Sequence, residues 1–391
     1  MKRTFIFVVM ALLLIGSLAF ADEATIIDFT LLDSDIIAEK DAEGDDVTDA
    51  EGNVKYTQNA RTVMDFGTTA GATFTDEQKD LMKTSLSLPN WEVVFNSSAR
   101  NVLSMSKSVV VPAPVRTEKP NVKGGEPLPV NLPFAGKNIM GVRIVFPTPN
   151  VNANARIIPS FEIPAYEPLR TVTVDGNVVV GDASGEIAYE PAEEDVSRGF
   201  TRFEGGYGVV KNVGTIKALS VTTQGMLFPH ALYVLLKDTD NIERRYFMGY
   251  LGFDGWKELK WKNPAYIDEV RTREIRIVPI YPRGLPFVKF VGFQIVRDAM
   301  HAGDDFIGYF KDVKVIYDKA VLHTERDIAD EDLWGIVGDR EAAKQNHEMA
   351  RFGDKQVNRF LEKAKLAQED GFKSSLSMEE DSSSDTKVDA K

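Results

Sequence analysis

The chain has 391 residues, with 46 Lys and Arg against 59 Asp and Glu, a formal net charge of -13 and no cysteine. Its acidity disfavours nucleic acid and anionic lipid as partners, and the missing thiols exclude disulfides, thiolate metal sites, cysteine nucleophiles and a lipid-bearing cysteine. A chain of this length can build one large or two medium hydrophobic cores, and its stability must come from burying them.

Lys2 and Arg3 precede an apolar run from Phe5 to Ile15, and Leu18-Ala19-Phe20-Ala21 places small residues where a signal peptidase reads. Residues 1–21 therefore read as a signal peptide cleaved between Ala21 and Asp22. The apolar run is shorter than the ~20 residues of a spanning helix, and no later segment reaches that length, so no membrane insertion is expected.

Residues 22–58 form an N-terminal segment whose second part, 39–58, is an insertion rich in Asp, Glu and Gly. Within it Val47-Thr48 and Val54-Lys55-Tyr56 flank Asp49 to Asn53 as a hairpin. A calcium loop fails on spacing, because placing Gly44 or Gly52 at the obligatory glycine puts Ala50 or Val47 at a ligand position.

The body, 59–320, opens with a short helix, since Thr75 and Gln78 have the spacing of a capping box, and the helix is expected to end near Ser85. Of the 18 prolines, 11 fall between Pro112 and Pro168, which excludes long helices there and favours short extended pieces. Asp175-Gly176 between Thr171-Val174 and Asn177-Val180 is a hairpin, because Asp-Gly supplies the positive backbone angles of a two-residue turn. Leu232, Val234 and Leu236, then Ile275 and Ile277, then Val291, Phe293 and Ile295, then Val313, Val315 and Tyr317 alternate with other residues, which turns one face of each strand to a core. The fold class is mainly β: a β-sandwich of jelly-roll or galactose-binding-like type with a C-terminal helix. Prolines and charged pairs such as Arg244-Arg245 break the alternation a membrane barrel would need.

Residues 321–370 form a helical segment, with a helix over 341–368 whose apolar residues, among them Phe352 and Phe360, cover one side. Such a face docks either on its own sandwich or on a neighbour, and Phe352 and Phe360 mark it as a candidate assembly helix, needed more for association with a neighbour than for folding of the sandwich. Residues 371–391, rich in Ser, Asp and Glu, have too little apolar surface to offset the entropy of ordering and are expected to be unstructured.

No motif supports catalysis. The dinucleotide and phosphate-loop patterns fail at Lys211 and Asn131, His347 lacks the second histidine of a zinc protease, and no Gly-x-Ser-x-Gly elbow occurs. Trp256, Trp261 and Tyr266 are candidates for a subunit interface or a sugar-stacking platform, against the plainer role of filling a core. The two tryptophans are an odd number of residues apart, so in a continuous strand they face opposite sides. Asp65 and Asp312 are candidate oxygen ligands for a structural calcium, against the plainer role of turn or surface carboxylates. No other cofactor is implied.

Arg61-Thr62-Val63-Met64-Asp65-Phe66, the run from Trp91 to Arg100, Gly141 to Pro147, Val209 to Gly214, Phe247 to Leu251 with Trp256 and Trp261, and Tyr309 to Asp318 together resemble the flagellar filament outer layer (sheath) proteins of spirochaetes. The resemblance runs from about Thr25 to about Trp334, and the acidic insertion and the Ser-rich tail depart from it. It implies a periplasmic, non-catalytic subunit that coats a core of flagellins, binds those flagellins and copies of itself, and alters filament stiffness, shape and cell motility. The alternative is a periplasmic carbohydrate-binding sandwich, supported by the aromatic cluster alone.

Overall fold

Alternating apolar residues build twelve strands into two facing antiparallel sheets in a computed structural model. It describes residues 22–38, 47–49, 52–59, 61–65, 67, 73–119, 121, 128–147, 152–165, 170–174, 177–181, 203–266, 286–301, 305–320, 333–336, 340, 343, 347 and 353–368. The strands are β1 (Asp22–Asp28), β2 (Glu92–Phe95), β3 (Val109–Pro114), β4 (Asn138–Val145), β5 (Asn154–Ile158), β6 (Val209–Lys211), β7 (Val213–Met226), β8 (Ala231–Asp238), β9 (Glu243–Tyr250), β10 (Asp254–Lys262), β11 (Phe287–Val296) and β12 (Asp305–Lys319). One sheet runs β10-β7-β12-β4-β3, with β1 also on β12. The other runs β9-β8-β11-β5-β2, with β6 also on β11.

The inner faces meet in an aromatic core. Phe293 of β11 stacks on Phe310 of β12 with centroids 4.5 Å apart, and Phe29, in the turn after β1, lies 5.7 Å from Phe293 and 6.2 Å from Phe290. All four rings are buried, each contributing roughly 1.5–3 kcal/mol relative to exposure. Leu232, Val234 and Leu236 face inward as the alternation requires, and so do Val313, Val315 and Tyr317. Val291 does not. The register slips between Leu235 and Leu236, so Val291 is the extra residue of a bulge and Phe290 takes the inward position. Ile275 and Ile277 lie outside the described residues.

The chain divides into two compact units that interleave along the sequence. The sandwich belongs to the unit formed by residues 22–33, 93–157 and 203–334; the second unit comprises 34–92, 158–202 and 335–391. The stretch 59–320, read as one body, thus contributes to both. The Asp-Gly hairpin forms as read, Val174 opposite Asn177, but as a separate two-stranded sheet in the second unit rather than as part of the sandwich. The turn in the acidic insertion also forms, with Thr48 bridged to Val54 and the Asn53 N–H donated to the Asp49 side chain.

The capping box of Thr75 and Gln78 opens helix α1 (Asp76–Asp80), which stops five residues short of the expected end at Ser85. Lys83–Ser85 pairs instead with Val63–Asp65, burying Ser85. A second capping box, Asn101 with Ser104, opens helix α2 (Val102–Lys107). Helix α3 occupies residues 353–368.

Candidate functional site

The sandwich holds a part-buried ion cluster at a defect in its longest strand. Thr222 of β7 pairs with Asp312 but the next residue, Thr223, pairs with Phe310, so Lys311 is the extra residue of a bulge. The inward set changes parity there, from Phe306 and Phe310 to Val313 and Val315. Lys311 Nζ donates to Asp28 Oδ2 and to Asp312 Oδ2, both at 2.8 Å. Burial pushes the Lys311 ammonium down, but the hydrogen bonds and charges of Asp28 and Asp312 outweigh it, and its pKa is raised. Asp312 therefore already faces a cation supplied by the chain.

Lys311 Nζ also lies 5.6 Å from the centroid of Phe134, whose edge meets Trp256 at 4.9 Å. Phe134 has φ of 64°, an unusual conformation for a bulky side chain that costs on the order of 1–3 kcal/mol. The Trp256 ring and the anchored ammonium hold it there.

Trp256 and Trp261 sit on one strand, β10, and point to opposite faces as their spacing predicts. Trp261 turns inward to Tyr246 of the opposing sheet, at 4.8 Å, whereas Trp256 lies on the outer face beside Phe134. Tyr266 donates its hydroxyl to Asp318 Oδ2 at 3.0 Å, and its ring is covered by Lys217 Nζ at 4.9 Å. The three aromatics thus serve three separate contacts and form no common stacking platform.

A second cluster was not singled out from the sequence. His230, wholly buried, lies 4.9 Å from His301 with perpendicular rings and is walled by Phe146, Phe228 and Phe306. Burial lowers its pKa from 6.5 to about 4, helped by His301 and Arg297. Its Nδ1 accepts the N–H of Asp298 at 3.1 Å, so the neutral ring carries its proton on Nε2. Histidines scattered through the sequence give no local signal that these two meet.

Asp65 pairs with Lys83 through its backbone in the second unit, whereas Asp312 belongs to the sandwich. Asp22 opens β1 opposite Tyr317, its carboxylate 2.6 Å from Lys319 Nζ; Ala21 and Phe352 lie outside the described residues. Phe360 on α3 meets Phe74 edge-on at 6.4 Å within the second unit, and Arg359 donates to the Ser160 carbonyl there. Among the described residues no three or more His, Asp or Glu gather as a metal-binding group, and no helix is long and apolar enough to cross a membrane.

The model of the flagellar filament outer layer protein FlaA family matches residues 55–326. The chain belongs to this family. It is 50% identical over 372 residues to the flagellar filament outer layer protein of Treponema pallidum (strain Nichols), covering 95% of this chain and 96% of that one. To the Spirochaeta aurantia protein of the same description it is 39% identical, covering 95% of both. The Borreliella burgdorferi member is 29% identical over 256 residues, covering 65% of this chain and 62% of that one. Among solved structures, a carbohydrate-binding module in complex with β-1,4-galactotriose is similar at 10% identity and a TM-score of 0.23, covering 58% of this chain and 88% of that one. A likeness that slight carries no argument about the ligand of this FlaA family member, and the fold rests on its own two sheets.

Proposed function

We propose that this FlaA family chain is a non-catalytic structural subunit of the outer layer of a flagellar filament. What carries the reading is identity of 50% sustained over 95% of the chain to a flagellar filament outer layer protein. In the finer version, the chain is delivered to the periplasm by the signal at residues 1–21, adds to the filament from outside, and coats a core of flagellins. Copies in contact with the core and with one another then stiffen the filament and set its helical shape. The sandwich fits mechanical work: aromatic rings fill its interior, and on its outer face one ammonium, Lys311, ties the carboxylates of the first and last strands together.

Electron microscopy of filaments purified from cells with and without this protein tests the reading. Loss of the protein is expected to give thinner filaments of altered curvature, restored by the gene in trans. Filaments of unchanged diameter that never contained the chain would overturn it.

A further inference from the structure

The chain is acidic overall, yet the stretch from Arg100 to Arg143 carries seven of its 46 Lys and Arg and two of its 59 Asp and Glu. Its first part lies at the sandwich margin, in α2 and in β3, which ends its sheet. In α2, Ser104 is buried and donates its hydroxyl to the Ala99 carbonyl, which fixes the inward side. Val102 and Met105, three residues apart on one helix face, are 86% and 54% exposed, and Leu103 between them is 41% exposed. The next element, β3, buries Val110 and exposes Val109 and Val111, and opposite Val111 stands Gly141, which adds no side chain. Exposed apolar groups gathered in this way mark an interaction surface.

The charges around it are unspent. Arg100, Lys107, Arg116 and Lys119 are exposed and make no ion pair among the described residues. Elsewhere on the sandwich surface several cations are paired: Lys314 with Glu23, Lys260 with Glu258, and Arg244 with Asp238. The partner therefore has an apolar contact ringed by acid.

We infer that this strip, from Arg100 to Lys119, docks on an acidic surface of a second copy of the same chain; the inference rests on the outer-layer reading above. Three features select that occupant. This strip has four Lys and Arg against one Glu, so in a chain of net charge -13 the excess acid lies on the rest of the chain, which supplies the complementary surface itself. Two basic strips repel, so the contact is between unlike surfaces, and such heterologous contacts propagate into open assemblies rather than closing as a dimer. Strand addition is blocked, because β3 ends its sheet with Pro112 and Pro114, which have no N–H to offer along the free edge. Side chains, not backbone, make the contact.

The test is sedimentation of the purified full chain over a concentration series at low and high salt, with two double variants, Val102→Ser with Met105→Ser and Arg100→Glu with Lys107→Glu. All four positions are exposed, and circular dichroism checks that each variant keeps its fold. The wild type is expected to associate beyond a dimer, more weakly at high salt, and each variant to associate at least about tenfold more weakly. Association that neither variant weakens, or a wild type that stays monomeric, overturns the inference. So does a wild type whose binding to bare filament cores, rather than to itself, is what the variants lose. Recovery of the wild-type chain with purified filaments is scored separately: its absence defeats the outer-layer reading, whereas its presence together with unaffected self-association defeats only the docking strip.

Discussion

Lys311 reaches Asp28, 283 residues away in sequence, at 2.8 Å, and so ties the last strand of the sandwich to the first. The bulge makes this contact available. A regular strand would turn Lys311 and Val313 to the same face, and the extra residue lets the lysine turn outward to two carboxylates while the valine stays in the core.

Replacing Lys311 by Met leaves Asp28 and Asp312 facing each other with little solvent, since their side chains are 19% and 5% exposed. Breaking one side of a buried ion cluster typically costs about 3–5 kcal/mol. The variant is expected to unfold at lower urea concentration by a margin of that order, and adding Asp312→Asn should recover part of it. A variant as stable as the wild type would show that the cluster is not under strain to stay paired.

The buried His230 makes stability depend on pH. Its folded pKa of about 4 lies below the ordinary 6.5, so between those values the unfolded chain takes a proton that the folded one refuses. Stability is then full above about pH 6.5 and falls as pH drops toward 4, by up to roughly 3 kcal/mol. Thermal melts from pH 7.5 to 4.5 should follow this slope, and His230→Phe should flatten it even if its melting temperature is lower throughout. An unchanged slope in that variant would assign the acid sensitivity to other groups.

Gly225 in β7 has no room for a methyl group. A Cβ there would stand 2.4 Å from the Phe253 carbonyl oxygen, a backbone atom already accepting the Leu227 N–H. Gly225→Ala is expected to cost about 1–3 kcal/mol, read by chemical denaturation. Gly255, with open space at its Cβ, is not a matched control, because its φ of 87° strains any other residue.

What could be read from the sequence was local. The strands on either side of Asp175-Gly176 pair in the register a two-residue loop requires, Thr75 and Gln78 carry their own cap, and the spacing of Trp256 and Trp261 already required opposite faces. What could not be read depended on partners far along the chain. The bulge at Lys311 leaves one trace, a change of parity between Phe310 and Val313, but nothing in that trace names Asp28. The interleaving of two units, and the meeting of His230 with His301, are products of tertiary packing with no local signature. Membership of the family was legible for a different reason: the resembling blocks from Arg61 to Asp318 fall within the matched residues 55–326.

An amphipathic helix after a completed sandwich is a natural assembly element, and Phe352 and Phe360 were its candidate anchors. Phe360, however, is half-buried against Phe74, Gln356 and Arg359 donate to the Ser160 carbonyl, and Lys355 lies 3.7 Å from Glu162, all within the second unit. Leu361 and Leu366 remain exposed, at 38% and 59%. The helix therefore has one side packed within the second unit and one side exposed. Phe360→Ser is expected to destabilise the second unit by about 1–3 kcal/mol, since it removes an aromatic contact and part of a buried ring. Amide exchange across residues 353–368 should accelerate in proportion. Leu361→Ser with Leu366→Ser should leave exchange and melting temperature as they are, and lower recovery of the chain with purified filaments if the exposed side meets a neighbour. Should Phe360→Ser instead keep full protection of the helix while filament recovery falls, the anchor belongs to assembly and the packing on Phe74 is dispensable.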